Sequence, residues 1–560
     1  MPCAKSSMPG IRKWMPSSSK QRNPTAHNLG DPPNNQSMPQ SEMKITPFFL
    51  FTVFSGAFVY ADGSWPQWRG PNRDGSSKAS TKLANSWPET GPKLLWESEH
   101  IPSGDDGGFG SVVATEDRAY LSLVWHRDVP TPTRTVDNPA LRKIGARRTN
   151  LPKELIDKME QVRVKLSPRL RGSKLDEWSQ EWVKENLDAK QKLLYGDYVI
   201  SRFKKGPLAF PIDATNKLYE IKDKVFPDEN SFVAWLDEQK FEAAVRDRVI
   251  ESVPPTKKVA DDVIVAMDLK TGTTLWKSSL EGTPSGRTSS ATPCVANGRV
   301  YALGSSRIFC VDAKTGKPVW DVKVNSSGGA SSVLVEGNKV VVLANHLIAH
   351  DAKTGDKLWE NNDVSGKSAS PVLWHPGEKP MVVCNSKNTA IGIDLSTGNT
   401  LWEKPAGGSS TPVASGEYLV VHGKDEKAGI VCYRWTEKGI KEFWTYPKVT
   451  RRSDSSPIVK GNHIFLFGAE MRLCLDLKTG KVLHKETGKH DISSPIFADG
   501  KIFAYEIKGS FLDMVKADPN DFTELGKTKV QALRCSSPAI VGNKLLVRMV
   551  DRIACYDLGE

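Results

Sequence analysis

Across 560 residues the sequence carries only eight cysteines, and none of them falls in a Cys-x-x-Cys, Cys-x-x-Cys-His or adjacent-pair arrangement. Structural zinc, covalently attached c-type haem, a vicinal disulfide and a disulfide scaffold are therefore left without support. Only one apolar run is longer than a strand, and mean hydropathy is −0.41, which excludes a polytopic membrane protein. Charge of one sign is not in great excess either. The 77 Lys+Arg stand against 65 Asp+Glu, a net charge of +12 with 25% charged residues, so a disordered polyelectrolyte is excluded. No glycosidase, nuclease or serine-hydrolase motif occurs, and the many Ser-Ser pairs recur at regular spacing, which marks them as architecture rather than nucleophiles.

What is present begins with an address. Residues 1–42 are rich in Ser, Pro, Asn and Gln and cannot bury enough apolar surface to fold, so they are expected to be disordered. Residues 43–61 then read as a secretory signal peptide: Lys44, an apolar run over 45–60, and Val59, Tyr60 and Ala61 as the cleavage pattern. Cleavage is expected after Ala61 and translation from Met43. The mature chain is then secreted or periplasmic, with no transmembrane span.

Self-similarity decides the fold class. The pattern Asp-x-Lys-Thr-Gly-x-x-Leu-Trp recurs as AMDLKTGTTLW (266–276), CVDAKTGKPVW (310–320), AHDAKTGDKLW (349–359), GIDLSTGNTLW (392–402) and CLDLKTGKVLH (474–484), with a degenerate copy at 432–444. A second pattern, such as SSATPCVANGRVY (289–301) and SSPIFADGKIFAY (493–505), occurs eight times if GSVVATEDRAYLS (110–122) is included. A period of about 40 residues built from short strands is the signature of propeller blades. The expectation is an all-β, eight-bladed β-propeller of four-stranded blades. The residues assigned to its architecture are Asp268, Gly272, Trp276, Asp312, Gly316, Trp320, Asp351, Gly355, Trp359, Asp394, Gly398, Trp402, Asp476 and Gly480. Each Asp is expected to bond its own turn, each Gly to supply positive φ, and each Trp to cover the gap to the next blade. Cys310, Cys432, Cys474 and Cys555 fill the small buried slot two residues before the turn Asp or its counterpart.

Two further features follow from the spacing. KLLWESE (93–99) is a Leu-Trp strand with nothing before it, and ACYDLGE (554–560) ends one strand short, so each completes the other. Between strands 118–124 and 262–268 lie about 140 extra residues with helical periodicity. This gives an extended segment over 62–92, a closing strand and the start of the first blade over 93–125, a mainly helical insertion over 126–261, and the remaining blades over 262–560. The insertion holds 27 Lys+Arg and 21 Asp+Glu over 126–260, the mixed pattern of a solvated surface and not of a nucleic-acid binder.

The Asp-x-Lys-Thr-Gly-x-x-Leu-Trp repeats resemble the tryptophan-docking repeats of pyrroloquinoline quinone (PQQ)-type propellers, a group that includes quinoprotein alcohol dehydrogenases and BamB-like assembly proteins. SWPQWRGPNRDG (64–75) resembles the opening of secreted PQQ-like propellers of planctomycetes. For the enzymes the resemblance implies PQQ, a Ca²⁺ held by carboxylate and amide, an Asp base and two adjacent cysteines. This sequence has no adjacent cysteines, and no metal set or base matches residue by residue. The expectation is thus a non-catalytic binding scaffold for a protein, a glycan or another anionic ligand, acting as a monomer; the alternative is a PQQ-dependent alcohol dehydrogenase. In the family's blade order the residues before each Ser-Ser-Pro ring one mouth of the channel: Arg287, Lys367, Arg451, Arg452, Asp454, His490, Asp491 and Arg534, with Asp105 and Asp106. The insertion is expected on that same face. No catalytic or metal-binding residue is assigned.

Overall fold

The computed structural model describes residues 63–560 except 79, 285–288, 325–328, 426, 448–451, 469 and 488–491. The leader, the signal peptide and the rim residues Arg287, Arg451, His490 and Asp491 lie outside the described residues. Seven four-stranded antiparallel sheets and one of three strands follow one another along the described chain, the architecture of a β-propeller.

The second sheet shows how sequence becomes sheet. Cys294–Ala296 is a short buried strand, and Asn297 and Gly298 turn it with φ of 52° and 70° into Arg299–Leu303. Arg307–Asp312 follows, then Pro318–Lys323 on the outside. At the turn between the last two, the Asp312 carboxylate accepts from the Lys314 and Thr315 amides at 3.1 and 2.7 Å and from the Thr315 hydroxyl at 2.7 Å. Asp268, Asp351, Asp394 and Asp476 bond their own turns in the same way. At Asp268 the Thr271 hydroxyl and amide hold the carboxyl below its ordinary range.

The repeated tryptophan explains both the glycine and the small slot. Trp320 sits directly across the ladder from Cys310, and the register shifts by one residue just beyond that pair. Trp276 faces Ala266, Trp359 faces Ala349, Trp444 faces Cys432 and Trp96 faces Cys555. The bulge turns the preceding residue outward, so Leu275, Val319, Leu358 and Leu401 are exposed although apolar. Each ring lies on the turn glycine of the following sheet: Trp96 on Gly272, Trp276 on Gly316, Trp320 on Gly355, Trp359 on Gly398 and Trp444 on Gly480.

Where the motif decays, the contact is rebuilt. The fifth sheet has no Lys-Thr-Gly turn, and Trp402, expected to reach across, lies instead on Gly392 of its own sheet with its Nε1 3.3 Å from the Met381 sulfur. In the sixth sheet His484 takes the Trp position and meets Phe522 edge-on at 4.9 Å. In the seventh, Gly526 stands at that position, and Trp87 of the N-terminal segment lays its ring there.

Lys93–Glu97 is hydrogen-bonded to Ile553–Asp557 and forms the outer strand of the last sheet. In the third sheet Lys339–Asp351 runs as one strand with Asn345 at φ 71° where the other sheets turn, which accounts for its count of three.

Strands Arg118–Pro130 and Thr256–Asp268 of the first sheet pair over their whole length, each running six residues further toward the insertion than the periodicity alone predicts. Burial of His126, Val259 and Ala260 and the Arg127–Asp261 ion pair at 2.7 Å extend the ladder. Beyond it come helices α1 (Asn138–Ile144), α2 (Lys153–Val164), α3 (Ser173–Asn186), α4 (Ala189–Lys205), α5 (Ile212–Glu220), α6 (Glu229–Glu238) and α7 (Ala243–Ser252). They form two apolar cores, one from α1, α5, α6 and α7, the other centred on α2, α3 and α4.

Candidate binding site

The inner strands of adjacent sheets are joined by a line of hydroxyls. The amide of the residue before each Pro, or its counterpart, donates to the hydroxyl of the equivalent residue in the next sheet. The line runs from Ser537 to Ser111 (2.8 Å), Thr292 (2.9 Å), Ser332 (3.1 Å), Ser370 (2.9 Å), Thr411 (3.1 Å), Ser456 (2.9 Å) and Ser494 (3.0 Å). These groups are buried, and each hydroxyl from Ser111 to Ser494 accepts from the neighbouring sheet, so the recurring serines hold sheets together.

One end of this arrangement is crossed by the segment after residue 63. Trp65 exchanges backbone hydrogen bonds with Ala114, and the Pro66 carbonyl accepts from Val295. Arg73 donates to the Ser332 and Val333 carbonyls at 2.9 and 2.7 Å. Arg69 donates to the Ser456 carbonyl at 2.8 Å and to that of Pro457. Gly75 and Ser77 pair with Phe497, Leu83 donates to Asp499 and Ala84 to Leu558. The segment thus touches the first, second, third, sixth, seventh and eighth sheets. Both arginines are 1% exposed, and burial pulls the Arg69 guanidinium down to about 10 while pushing the neighbouring Asp74 carboxyl up. The motif resemblance flagged this stretch, but nothing in its composition said that its arginines would be buried.

The rim residues occupy the links between the outer strand of one sheet and the inner strand of the next, ahead of the inner strands. Lys367 lies between Lys357–Gly366 and Val372–Trp374 and is exposed. Arg452 and Asp454 precede Ile458–Lys460 and form an ion pair at 2.8 Å. Arg534 precedes Ala539–Val541 and is half-buried, its Nε enclosed. Asp105 and Asp106 turn away from a common cluster: Asp105 pairs with Arg142 of α1 at 3.0 Å and Asp106 with Lys258 at 2.9 Å, tying the helical insertion to the loop ahead of the first inner strand.

Asp262, in strand Thr256–Asp268, carried no signal in the sequence. Its side chain is fully buried, accepting from the Ser305 amide at 2.6 Å, with the Arg307 Nε 3.2 Å away. Burial pushes its carboxyl up to about 6, against the opposing pull of Ser305 and Arg307. A carboxyl with a raised folded pKa favours the fold below its unfolded pKa of about 4, and that contribution is lost as pH rises toward 6. Asp262→Asn therefore gains on the parent between pH 4 and pH 7, by about 3 kcal/mol in unfolding free energy. Paired urea melts across that range check this; parallel curves would show that Asp262 does not titrate there.

The family model described as outer membrane protein assembly factor BamB matches residues 260–486 and 378–533. The chain is a PQQ-like repeat protein. A search of curated proteins finds no match. Among solved structures this PQQ-like chain is similar to BamB from Moraxella catarrhalis at 13% identity and TM-score 0.43, covering 54% of this chain and 91% of that one. It is similar to the computationally designed Ika8 protein at 13% identity and TM-score 0.39, covering 53% and 93%. It is also similar to a quinohemoprotein alcohol dehydrogenase from Comamonas testosteroni at 12% identity and TM-score 0.36, covering 55% and 74%.

In this PQQ-like protein hydroxyls line the described inner strands and two arginines enter them, and among the described residues the one cluster of three potential metal ligands is His484, Glu486 and Asp521, on an outer strand and loop. The cysteines at the Trp-facing slot are buried singly, and burial pushes the thiols of Cys310, Cys432, Cys474 and Cys555 up to about 12. They serve as small apolar filler.

Proposed function

We propose that this chain is a secreted or periplasmic eight-bladed PQQ-like propeller that performs no chemistry and binds a protein or an anionic ligand on its rim face. The observation that supports the reading is that residues 65–84 cross the inner strands, anchored by Arg69 and Arg73, while Lys367 in the link ahead of Val372–Trp374 stays exposed. The Arg142–Asp105 and Lys258–Asp106 pairs favour the same face, because they hold the helical insertion beside the rim as a docking arm. Lys367, exposed, and Arg452, half-buried and paired with Asp454, are the cations suited to steer an anionic partner toward it.

The test uses Lys367→Glu with Arg452→Glu, since the half-buried Arg534 would confound binding with stability. Heparin serves as the anionic glycan probe. The double reversal is expected to weaken heparin binding about tenfold or more at low salt, with an unchanged melting temperature. Equal affinity for parent and variant would remove the rim from the reading. A parallel titration with PQQ, with and without Ca²⁺, separates the scaffold from the dehydrogenase alternative: tight, calcium-dependent, one-to-one binding would replace the scaffold reading.

A further inference from the structure

The helical insertion contains a pocket remote in sequence from every rim residue. It lies at the seam between the two helical cores and is walled by the end of α1, by α4, by Phe210 and by Tyr219 of α5, with a volume of about 290 Å³. That is the size of a site for one small group. Four cations line it, Arg142, Arg147, Arg202 and Lys205, and no carboxylate does.

The charge balance of these four is uneven. Arg142 is paired with Asp105. Arg202 is buried and bonded to Glu160 at 2.7 and 2.8 Å, but Arg163 shares that carboxylate at 2.8 Å, so the trio keeps one net positive charge. Among the described residues neither Arg147 nor Lys205 has a carboxylate within 4 Å, and both are exposed toward solvent. Arg147 lies over the Tyr198 ring at 5.7 Å and Arg148 over Tyr219 at 4.7 Å, so stacking against aromatic faces limits their freedom. Gly145, at φ 74°, ends α1 without a side chain where the Lys205 Nζ approaches. The Tyr198 hydroxyl on the same wall is buried and makes no hydrogen bond of normal geometry among the described residues. A concave site with an uncompensated positive charge concentrates anions.

We propose that this pocket binds a tetrahedral oxyanion, the phosphate or sulfate monoester group of a small molecule, between Arg147 and Lys205. Arg202 supplies background positive charge and Tyr219 an apolar face beside the group. Planar carboxylates, with less charge and two oxygens, satisfy the two cations less well.

The full chain is titrated calorimetrically with inorganic phosphate, inorganic sulfate, glucose 6-phosphate and, as the planar control, acetate. One-to-one binding of a tetrahedral anion with acetate at least about tenfold weaker is expected; the order of phosphate, sulfate and glucose 6-phosphate tells which source the site prefers. Arg147→Gln and Lys205→Gln are each expected to weaken that binding about tenfold, the loss of one charge-assisted contact, while leaving the melting temperature of the free protein unchanged. The rim variant Lys367→Glu with Arg452→Glu is expected to keep it in full, which separates this site from the proposed rim function. No heat at about 10 mM phosphate or sulfate, acetate binding as tightly, or full affinity in the Arg147→Gln, Lys205→Gln double variant would each overturn the proposal.

Discussion

Arg69→Ala is expected to lower the unfolding free energy by about 3–5 kcal/mol. Arg69 is 1% exposed and bonds three carbonyls, those of Ser456, Pro457 and Asp74. Truncation removes their donors at once, each unsatisfied acceptor costing about 1–3 kcal/mol before relaxation and water entry reduce the sum. It also leaves the buried Asp74 carboxyl without its nearest positive neighbour, whose attraction now opposes the burial that raises its pKa. Arg69→Lys is expected to recover only part, because an ammonium on a flexible stem cannot span acceptors placed for a planar fork. Urea unfolding of the three proteins decides the matter. A loss under about 1 kcal/mol for the alanine variant would mean that the N-terminal segment is held elsewhere and that its crossing of the sheets contributes little.

The second large effect separates backbone strain from tryptophan docking. Gly316 and Gly298 have nearly the same conformation, φ 71° and 70°, but a Cβ on Gly316 would sit 2.5 Å from the Trp276 ring whereas one on Gly298 meets nothing within 4 Å. Both alanine variants pay the left-handed strain of about 1–2 kcal/mol. Gly316→Ala must in addition push Trp276 off the turn, so its total is expected at about 2–5 kcal/mol, an excess of about 1–3 over Gly298→Ala. Equal losses in the two variants would show that the ring shifts freely and that docking does not hold the second sheet to the first. A Gly316→Ala, Trp276→Leu double variant should then show non-additive recovery, since the two groups share one contact.

Much of the architecture was written in the sequence because its causes are local. An Asp that bonds the amides two and three residues on, a glycine at positive φ and a small residue opposite a tryptophan recur at fixed offsets, so a repeat search finds them without coordinates. The pairing of Lys93–Glu97 with Ile553–Asp557 was legible for the same reason, as two incomplete units at opposite ends of the chain. Trp402 lies on its own sheet because the turn of the degenerate fifth unit is not Lys-Thr-Gly, and its Gly439, at φ 90°, has no ring within 4 Å. That depends on a neighbour 40 residues away in sequence.

The candidate sites divide along the same line. Rim residues follow from blade order, but whether Arg452 is a lone cation or the partner of Asp454, and how far Arg534 is buried, are settled only when the links fold back on the sheets. Asp262 and the pocket between α1 and α4 had no sequence signal, and the motif that holds Arg69 and Arg73 said nothing of their burial, because each is defined by groups from separate segments. Asp262 meets Ser305 and Arg307, Arg69 meets Ser456, and Lys205 meets Gly145. By itself the sequence determined the repeat, its turns and its strand order, since those rest on spacing and backbone preference. Only the tertiary structure decided which charges are buried, which are paired and which remain to meet a ligand, because burial and ion pairing are properties of surfaces brought together from distant parts of the chain.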